Sequence, residues 1–152
     1  MKILLVEDDE DKREQLISFI KEKIKCDLFE VRSFQSGLKM IKKEHFDLIL
    51  LDMTMPTFDI TPTESGGRSQ PFGGEMLIYE MIRREIAIKV IVVTQFDLFG
   101  KGDEEITLKE LDLRLANQFK NIYLGAVQYS INYTGWKESL LGKIMDAGII
   151  TN

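Results

Sequence analysis

Residues 48–51 read Leu-Ile-Leu-Leu, and this aliphatic run restricts the possible folds of the chain strongly. A strand of this composition has no polar face, so it must be covered on both sides, as the central strands of parallel sheets are. Asp52 follows directly, and Pro56 comes shortly after it. Two interpretations are open. Asp52 begins a turn that Pro56 continues, which is common for Asp near Pro, or it is a functional carboxylate at the end of a buried strand.

Two further apolar runs also end in polar side chains. The run 3–6 precedes an unbroken series of acids from Glu7 to Asp11, and the run 88–94 ends in the hydroxyl of Thr94. Part of the acidic series has an ordinary use, because an Asp here can cap the following helix and acids favour the positive end of a helix dipole. The density of like charge is nevertheless unusual for a cap alone.

The remaining periodicity completes an alternating pattern of strands and helices. Mixed polar and apolar segments at 27–34 and 125–132 suit edge strands. The pattern predicts an α/β fold, a doubly wound five-stranded parallel sheet with helices on both faces and strand order 2-1-3-4-5, the flavodoxin-like arrangement. Helices are predicted from the acidic series to about Lys25 and over 37–44, 75–85, 104–121 and 136–146.

This strand order brings the acidic side chains together. Ligands of such sheets bind beyond the carboxyl ends of the strands at the topological switch point, which here lies between the first and third strands. Glu7, Asp8 and Asp52 should converge there, with Thr94 on the neighbouring strand. Carboxylates that share a site repel one another, and a divalent cation relieves the repulsion. All-oxygen ligation favours Mg²⁺ over zinc, which prefers His and Cys.

Composition narrows the class of protein further. The chain has 152 residues, and its 44% hydrophobic and 30% charged fractions are typical of one soluble globular domain spanning 1–152. No apolar run is long enough to span a bilayer, so no membrane association is expected. The single Cys26 predicts no internal disulfide and a reducing, cytoplasmic location. The net charge of −5 argues against direct nucleic-acid binding and favours protein partners.

With these residues in place, the sequence resembles the response regulator receiver domain of two-component signalling over almost its whole length. The resemblance implies that Glu7 and Asp8 bind Mg²⁺ and that Asp52 accepts a phosphoryl group from a histidine kinase or phosphotransfer protein. It further implies that the Thr54 backbone carbonyl contacts the metal. Thr94 and Tyr129 match the switch residues of the family, and Met55-Pro56 matches its Met-Pro.

The sequence departs from the family pattern in three places. Asn132 stands where the family has a Lys that contacts the phosphoryl group, and two insertions occur at about 57–73 and 95–103. Both insertions are expected to flank the Asp52 site as a lid or a partner surface. Lys101 and Arg68, one from each insertion, are candidates to replace the missing cation.

Two functions are compatible with these features. The first is a stand-alone receiver of a phosphorelay that switches a protein-binding face toward a downstream target, with no enzymatic activity beyond autophosphorylation and slow self-dephosphorylation. The second is a degenerate pseudo-receiver that binds proteins independently of phosphorylation, which Asn132 favours. A third possibility, a phosphatase with an Asp nucleophile, would want an Asp where the chain has Thr54.

Overall fold

The computed structural model describes residues 1–63, 66–67 and 69–149. At its centre lies a five-stranded sheet in which every neighbouring pair is parallel. Its strands, in chain order, are β1 (Lys2–Val6), β2 (Asp27–Val31), β3 (Leu48–Leu51), β4 (Lys89–Thr94) and β5 (Tyr123–Gln128). Their spatial order is β2-β1-β3-β4-β5, so the predicted 2-1-3-4-5 flavodoxin-like sheet is confirmed.

Within the described residues, five α-helices cover the two faces of this sheet. They are α1 (Glu10–Lys23), α2 (Phe34–Lys43), α3 (Gly73–Arg83), α4 (Leu108–Gln118) and α5 (Gly135–Asp146). Alternate residues of each strand point to opposite faces. Leu5 and Leu50 therefore pack with α1 and α5, whereas Val6 and Leu51 pack with α2, α3 and α4. All four residues of β3 are fully buried, which explains its unbroken apolar sequence.

Several predicted element boundaries are wrong, and local capping explains two of the differences. The second strand ends at Val31 rather than at residue 34, because Ser33 and Ser36 form a capping box that begins α2. Helix α4 begins at Leu108 rather than at residue 104, because Thr107 and Glu110 form a second capping box. The last strand runs over Tyr123–Gln128 instead of 125–132, so Tyr129 and Asn132 lie in the loop that follows β5.

Each of the two insertions contributes one strand to a short antiparallel pair. Met55–Pro56 pairs with Ser69–Gln70, and Leu98–Phe99 pairs with Ile106–Thr107. The two segments meet where the Phe72 and Phe99 rings lie 6.5 Å apart between centroids. Gly100, with φ +83°, passes so close to the Phe72 ring that a Cβ there would lie 3.2 Å from it.

Among the described residues, no helix combines the length and the apolar character needed to cross a bilayer.

Candidate functional site

Three carboxylates meet at the carboxyl ends of β1 and β3. One oxygen from each of Glu7, Asp8 and Asp52 lies within 4.8 Å of the other two. Glu7 is 1% exposed and Asp52 is 2% exposed, whereas Asp8 faces solvent. The convergence predicted from the strand order is therefore present, and the cluster is buried on one side and open on the other.

The backbone around Asp52 is held by neighbouring elements. The Asp52 N–H donates to the Val6 carbonyl at 3.2 Å, and its Oδ1 accepts from the Met53 N–H at 2.7 Å. The N-terminus of α3 approaches closely, because the Gly74 N–H donates to the Met53 carbonyl at 2.8 Å. A Cβ on Gly74 would lie 2.6 Å from the Asp52 carbonyl oxygen, so this approach requires glycine.

Lys12, on the first turn of α1, occupies the cluster and was missed by the sequence analysis. Its Nζ lies 2.5 Å from Glu7 Oε1 and 3.1 Å from Asp52 Oδ2, and it donates to the Val93 carbonyl at 2.7 Å. The side chain is 1% exposed. The sequence could have indicated the burial of Lys12, because Lys12 precedes Leu16 by four residues on the buried stripe of α1. A lysine on such a stripe needs a buried partner.

Arg13, the residue after Lys12, is also buried and fixes the connection between β1 and α1. Its Nη1 donates to the Glu7 carbonyl at 3.1 Å and to the Asp8 carbonyl at 3.4 Å, and its Nε lies 3.7 Å from Glu30. Asp9 caps the helix by accepting from the backbone of the first turn. These contacts set the position of both the acids and Lys12.

Burial dominates the electrostatics of the acids. It raises the pKa of Glu7 to about 7, although the Lys12 ammonium opposes the rise and Asp52 adds to it. Burial also raises the pKa of Asp8, with a further contribution from Asp52. Both shifts mean that the site disfavours its own negative charge when no further cation is bound.

The donor set fits Mg²⁺. Three carboxylates offer hard oxygen ligands, and Glu7 Oε1 has the ion pair with Lys12 but no hydrogen bond of regular geometry. Thr54 lies on the turn after Asp52, and its hydroxyl donates to the Pro71 carbonyl at 3.2 Å, which ties this turn to the first insertion.

Thr94 and Tyr129 are connected through the backbone. Thr94 is fully buried at the end of β4, and its carbonyl accepts from the Tyr129 N–H at 2.8 Å. The Thr94 hydroxyl accepts from the Phe96 N–H at 3.2 Å. The Tyr129 ring is buried, with its centroid 5.2 Å from that of Trp136 on α5. A shift of the β4 end would therefore reach the β5–α5 loop directly.

Two of the three residues considered for the missing family lysine, Asn132 and Lys101, belong to the part of the chain that the structure describes. Asn132 is exposed, and its backbone N–H donates to Ser130 Oγ at 3.1 Å. Lys101 is exposed beside Phe72 and Met76, in a cavity between the two insertions. Arg68 lies outside the described residues. Within the described residues, the cation found among the acids is Lys12, and replacement of the family lysine by Lys101 or Arg68 stays a prediction.

Both insertions border the acidic site. Ile60 of the first insertion lines a cavity of about 220 Å³ together with Asp8, Arg13 and Arg32. The first insertion is held there by Asp59, which accepts hydrogen bonds from the hydroxyls of Ser33 and Ser36 at 2.6 and 2.9 Å. On the opposite side, Gln95, Lys12, Tyr129 and neighbouring residues line a cavity of about 200 Å³.

Fold and site together define a receiver, and comparison with known proteins agrees. The family model of the response regulator receiver domain matches residues 3–62. The chain is 33% identical over 149 residues to the Detocs response regulatory protein DtcB of Enterobacter cloacae, a match that covers 96% of this chain and 99% of that protein. The chain therefore belongs to the response regulator receiver family.

Two further similarities concern an uncharacterised protein and a solved structure. An uncharacterised protein of Sinorhizobium fredii, y4jR, is 35% identical over 144 residues, with 92% of this chain and 94% of that protein covered. The chain also resembles a solved structure, the response regulator TrrA of Thermotoga maritima in complex with Mg²⁺-BeF. The two superpose with a TM-score of 0.58 at 20% identity, and the match covers 93% of this chain and 97% of TrrA. At this identity the likeness concerns the fold.

Proposed function

We propose that this chain is the receiver of a phosphorelay in which Asp52 accepts a phosphoryl group from a histidine kinase or phosphotransfer protein. The observation that carries the proposal is the buried Asp52 carboxylate, which lies among Glu7, Asp8 and Lys12 at the switch point of the sheet. In the transfer, the bond between phosphorus and the donor breaks, the leaving group keeps its electron pair, and an Asp52 oxygen forms the new bond to phosphorus.

Glu7, Asp8, Asp52 and the Thr54 carbonyl are the proposed holders of Mg²⁺. When bound, this ion supplies positive charge that offsets the charge of the transferred group. TrrA, which shares the fold, is described in complex with Mg²⁺-BeF, and this supports the assignment. The resident side chains orient the acceptor, because the Met53 N–H holds Oδ1 at 2.7 Å and leaves Oδ2 facing Lys12.

The proposed output is a change in a protein-binding face. Thr94 stands at the end of β4, and its carbonyl holds the backbone of Tyr129 at 2.8 Å. Repositioning of Thr94 toward a phosphoryl group would alter the Tyr129 loop and its contact with Trp136. In this role the chain turns over no other substrate, and its own chemistry is autophosphorylation and slow self-dephosphorylation.

A phosphorylation-independent binding module is the second candidate. The observation that favours it is the contact between the two insertions, where the rings of Phe72 and Phe99 pack together. The Arg114 guanidinium stacks over Phe72, with its Cζ 5.0 Å from the ring centroid. Asn132 is consistent with the same interpretation, because it supplies no charge.

Incubation with acetyl phosphate and Mg²⁺, followed by intact mass measurement, tests the proposal. The wild type should gain the mass of one phosphoryl group, and Asp52→Asn should gain none. Asp146→Asn is the matched control, because it removes an exposed carboxylate at the end of α5, and it should behave as the wild type. A wild type that stays unmodified under these conditions, and also with a phosphorylated histidine donor, would favour the binding module.

A further inference from the structure

We infer that Lys12, from helix α1, is the residue that contacts the phosphoryl group on Asp52 and connects it to the end of β4. The inference rests on the proposed function and assigns to Lys12 the role that the resemblance to the receiver family gives to a lysine at position 132. Three observations carry it: the distance from Lys12 to the acceptor, its bond to Val93, and the way in which α1 is fixed.

The first observation is proximity. Lys12 Nζ lies 3.1 Å from Asp52 Oδ2, so an oxygen on a phosphorus bonded to this carboxylate comes within reach of the ammonium. Both side chains are almost completely buried, where a charge-assisted hydrogen bond is stronger than in water. The added phosphoryl charge would be costly at such a site without a cation.

The second observation is the carbonyl of Val93, which accepts from Lys12 Nζ at 2.7 Å. An ammonium has three donors, and here they face Glu7, Asp52 and Val93. When Asp52 becomes an acyl phosphate, its carboxylate charge is replaced by that of the phosphoryl oxygens. The ammonium then redirects toward those oxygens, and its bond to the residue before Thr94 changes with it. Lys12 thereby couples the acceptor to the switch strand.

The third observation is preorganisation. Asp9 caps α1, and the Arg13 guanidinium holds the carbonyls of Glu7 and Asp8. The Lys12 stem lies one turn from Leu16 on the buried face of the helix. The ammonium is thus held in place before the phosphoryl group arrives, which is the arrangement that electrostatic stabilisation of a transfer requires.

In the transfer step, Lys12 keeps its protons throughout. It donates hydrogen bonds to the phosphoryl oxygens while the bond from phosphorus to the leaving group breaks and the bond to the Asp52 oxygen forms. No proton or electron passes through the side chain, so the step is balanced without a further reactant.

The test compares Lys12→Gln and Lys12→Arg with the control Lys21→Gln, which alters an exposed lysine on the same helix. The rate at which acetyl phosphate modifies Asp52 is measured at saturating Mg²⁺, together with amide exchange in the Val93–Thr94 segment before and after modification. Lys12→Gln should slow modification by about tenfold to a hundredfold, which corresponds to the loss of a charge-assisted hydrogen bond. It should also abolish the exchange response at Val93 and Thr94, while Lys12→Arg retains part of both.

A measurement on the wild type keeps the inference open to refutation if the Lys12 variants do not fold. In protein with ¹⁵N-labelled lysine, the buried ammonium of Lys12 should give a slowly exchanging signal that shifts when beryllofluoride is added with Mg²⁺. A Lys12 signal that stays unmoved while the Thr94 amide shifts would overturn the inference.

The outcomes separate this inference from the proposed function. If the wild type is modified and Lys12→Gln is modified at the same rate with the same exchange response, Lys12 is a structural counter-ion and only the inference fails. If the wild type takes up no phosphoryl group from any donor, the proposed function and the inference fail together.

Discussion

The stability of the chain should depend on Lys12 to an extent that is unusual for a lysine. Lys12→Met keeps most of the side-chain length and apolar volume but removes the ammonium that lies between Glu7 and Asp52. Those two carboxylates, 1% and 2% exposed, would then share a buried site without that cation.

Breaking a buried ion pair by removing one partner costs about 3–5 kcal/mol. Protonation of Glu7 lowers this cost. Burial raises the pKa of Glu7 to about 7 even with Lys12 present. At pH 8, one unit above that pKa, protonating Glu7 costs only about 1.4 kcal/mol. The variant can therefore remove one of its two unpaired charges for less than the full cost of the broken ion pair. At pH 8 and without Mg²⁺, Lys12→Met should therefore lose about 2–3 kcal/mol of unfolding free energy. For a domain of this size, that loss lowers Tm by about 5–10 °C.

The assay is urea unfolding followed by the fluorescence of Trp136, the single tryptophan of the chain. Trp136 is buried against Phe19 and Tyr129, with ring centroids at 5.4 and 5.2 Å, so its emission reports on global unfolding. The midpoint gives the change in free energy when the slope is unchanged. Lys21→Met serves as the exposed control and should stay within about 0.5 kcal/mol of the wild type.

A loss below about 0.5 kcal/mol for Lys12→Met at pH 8 would refute the reasoning, because it would put Lys12 in the range of surface substitutions. A loss that is equal at pH 5 and pH 8 would also contradict it. At pH 5 Glu7 is protonated in the folded state, so one carboxylate fewer is left unpaired.

Three further predictions concern the acids and the loop after β5. Mg²⁺ at a hundredfold excess over its dissociation constant should stabilise the wild type by about 2.7 kcal/mol, visible as a rise in Tm that is absent in Asp8→Ala; an equal rise in both would place the ion elsewhere. The raised pKa of Glu7 means that the folded state holds a proton that the unfolded state releases between about pH 4.5 and 7. Without Mg²⁺, stability should thus fall as pH rises through that window. Glu7→Gln should flatten the decline in a urea series, and an unaltered slope would assign it to another group. Asn132→Lys should leave the amide-exchange response to acetyl phosphate at Thr94 nearly unchanged, because Lys12 already supplies the cation; a clearly larger response would mean that the Lys12 contact is incomplete.

Much of the fold was predictable because its determinants are local. The four aliphatics of β3 can be satisfied only by burial on two faces, and that requirement sets its central place in the sheet. Once the strand order follows, the ends of β1 and β3 are neighbours, so the meeting of Glu7, Asp8 and Asp52 follows as well. The capping boxes at Ser33 and Thr107 were equally local and readable in the sequence, so the misplaced boundaries of α2 and α4 were errors of interpretation.

Other features depend on contacts between segments that are distant in sequence. The pairing of Phe72 with Phe99 joins two insertions that each lack periodicity, so neither insertion alone predicts the contact. The place of Lys12 is of the same kind. The sequence by itself determined that Lys12 shares a helical stripe with Leu16 and Ile20. Only the docking of α1 across the ends of β1, β3 and β4 decided that its ammonium reaches Glu7, Asp52 and the Val93 carbonyl. Helical periodicity is a short-range property of the backbone, whereas the partner that neutralises a buried charge is set by the packing of the whole domain.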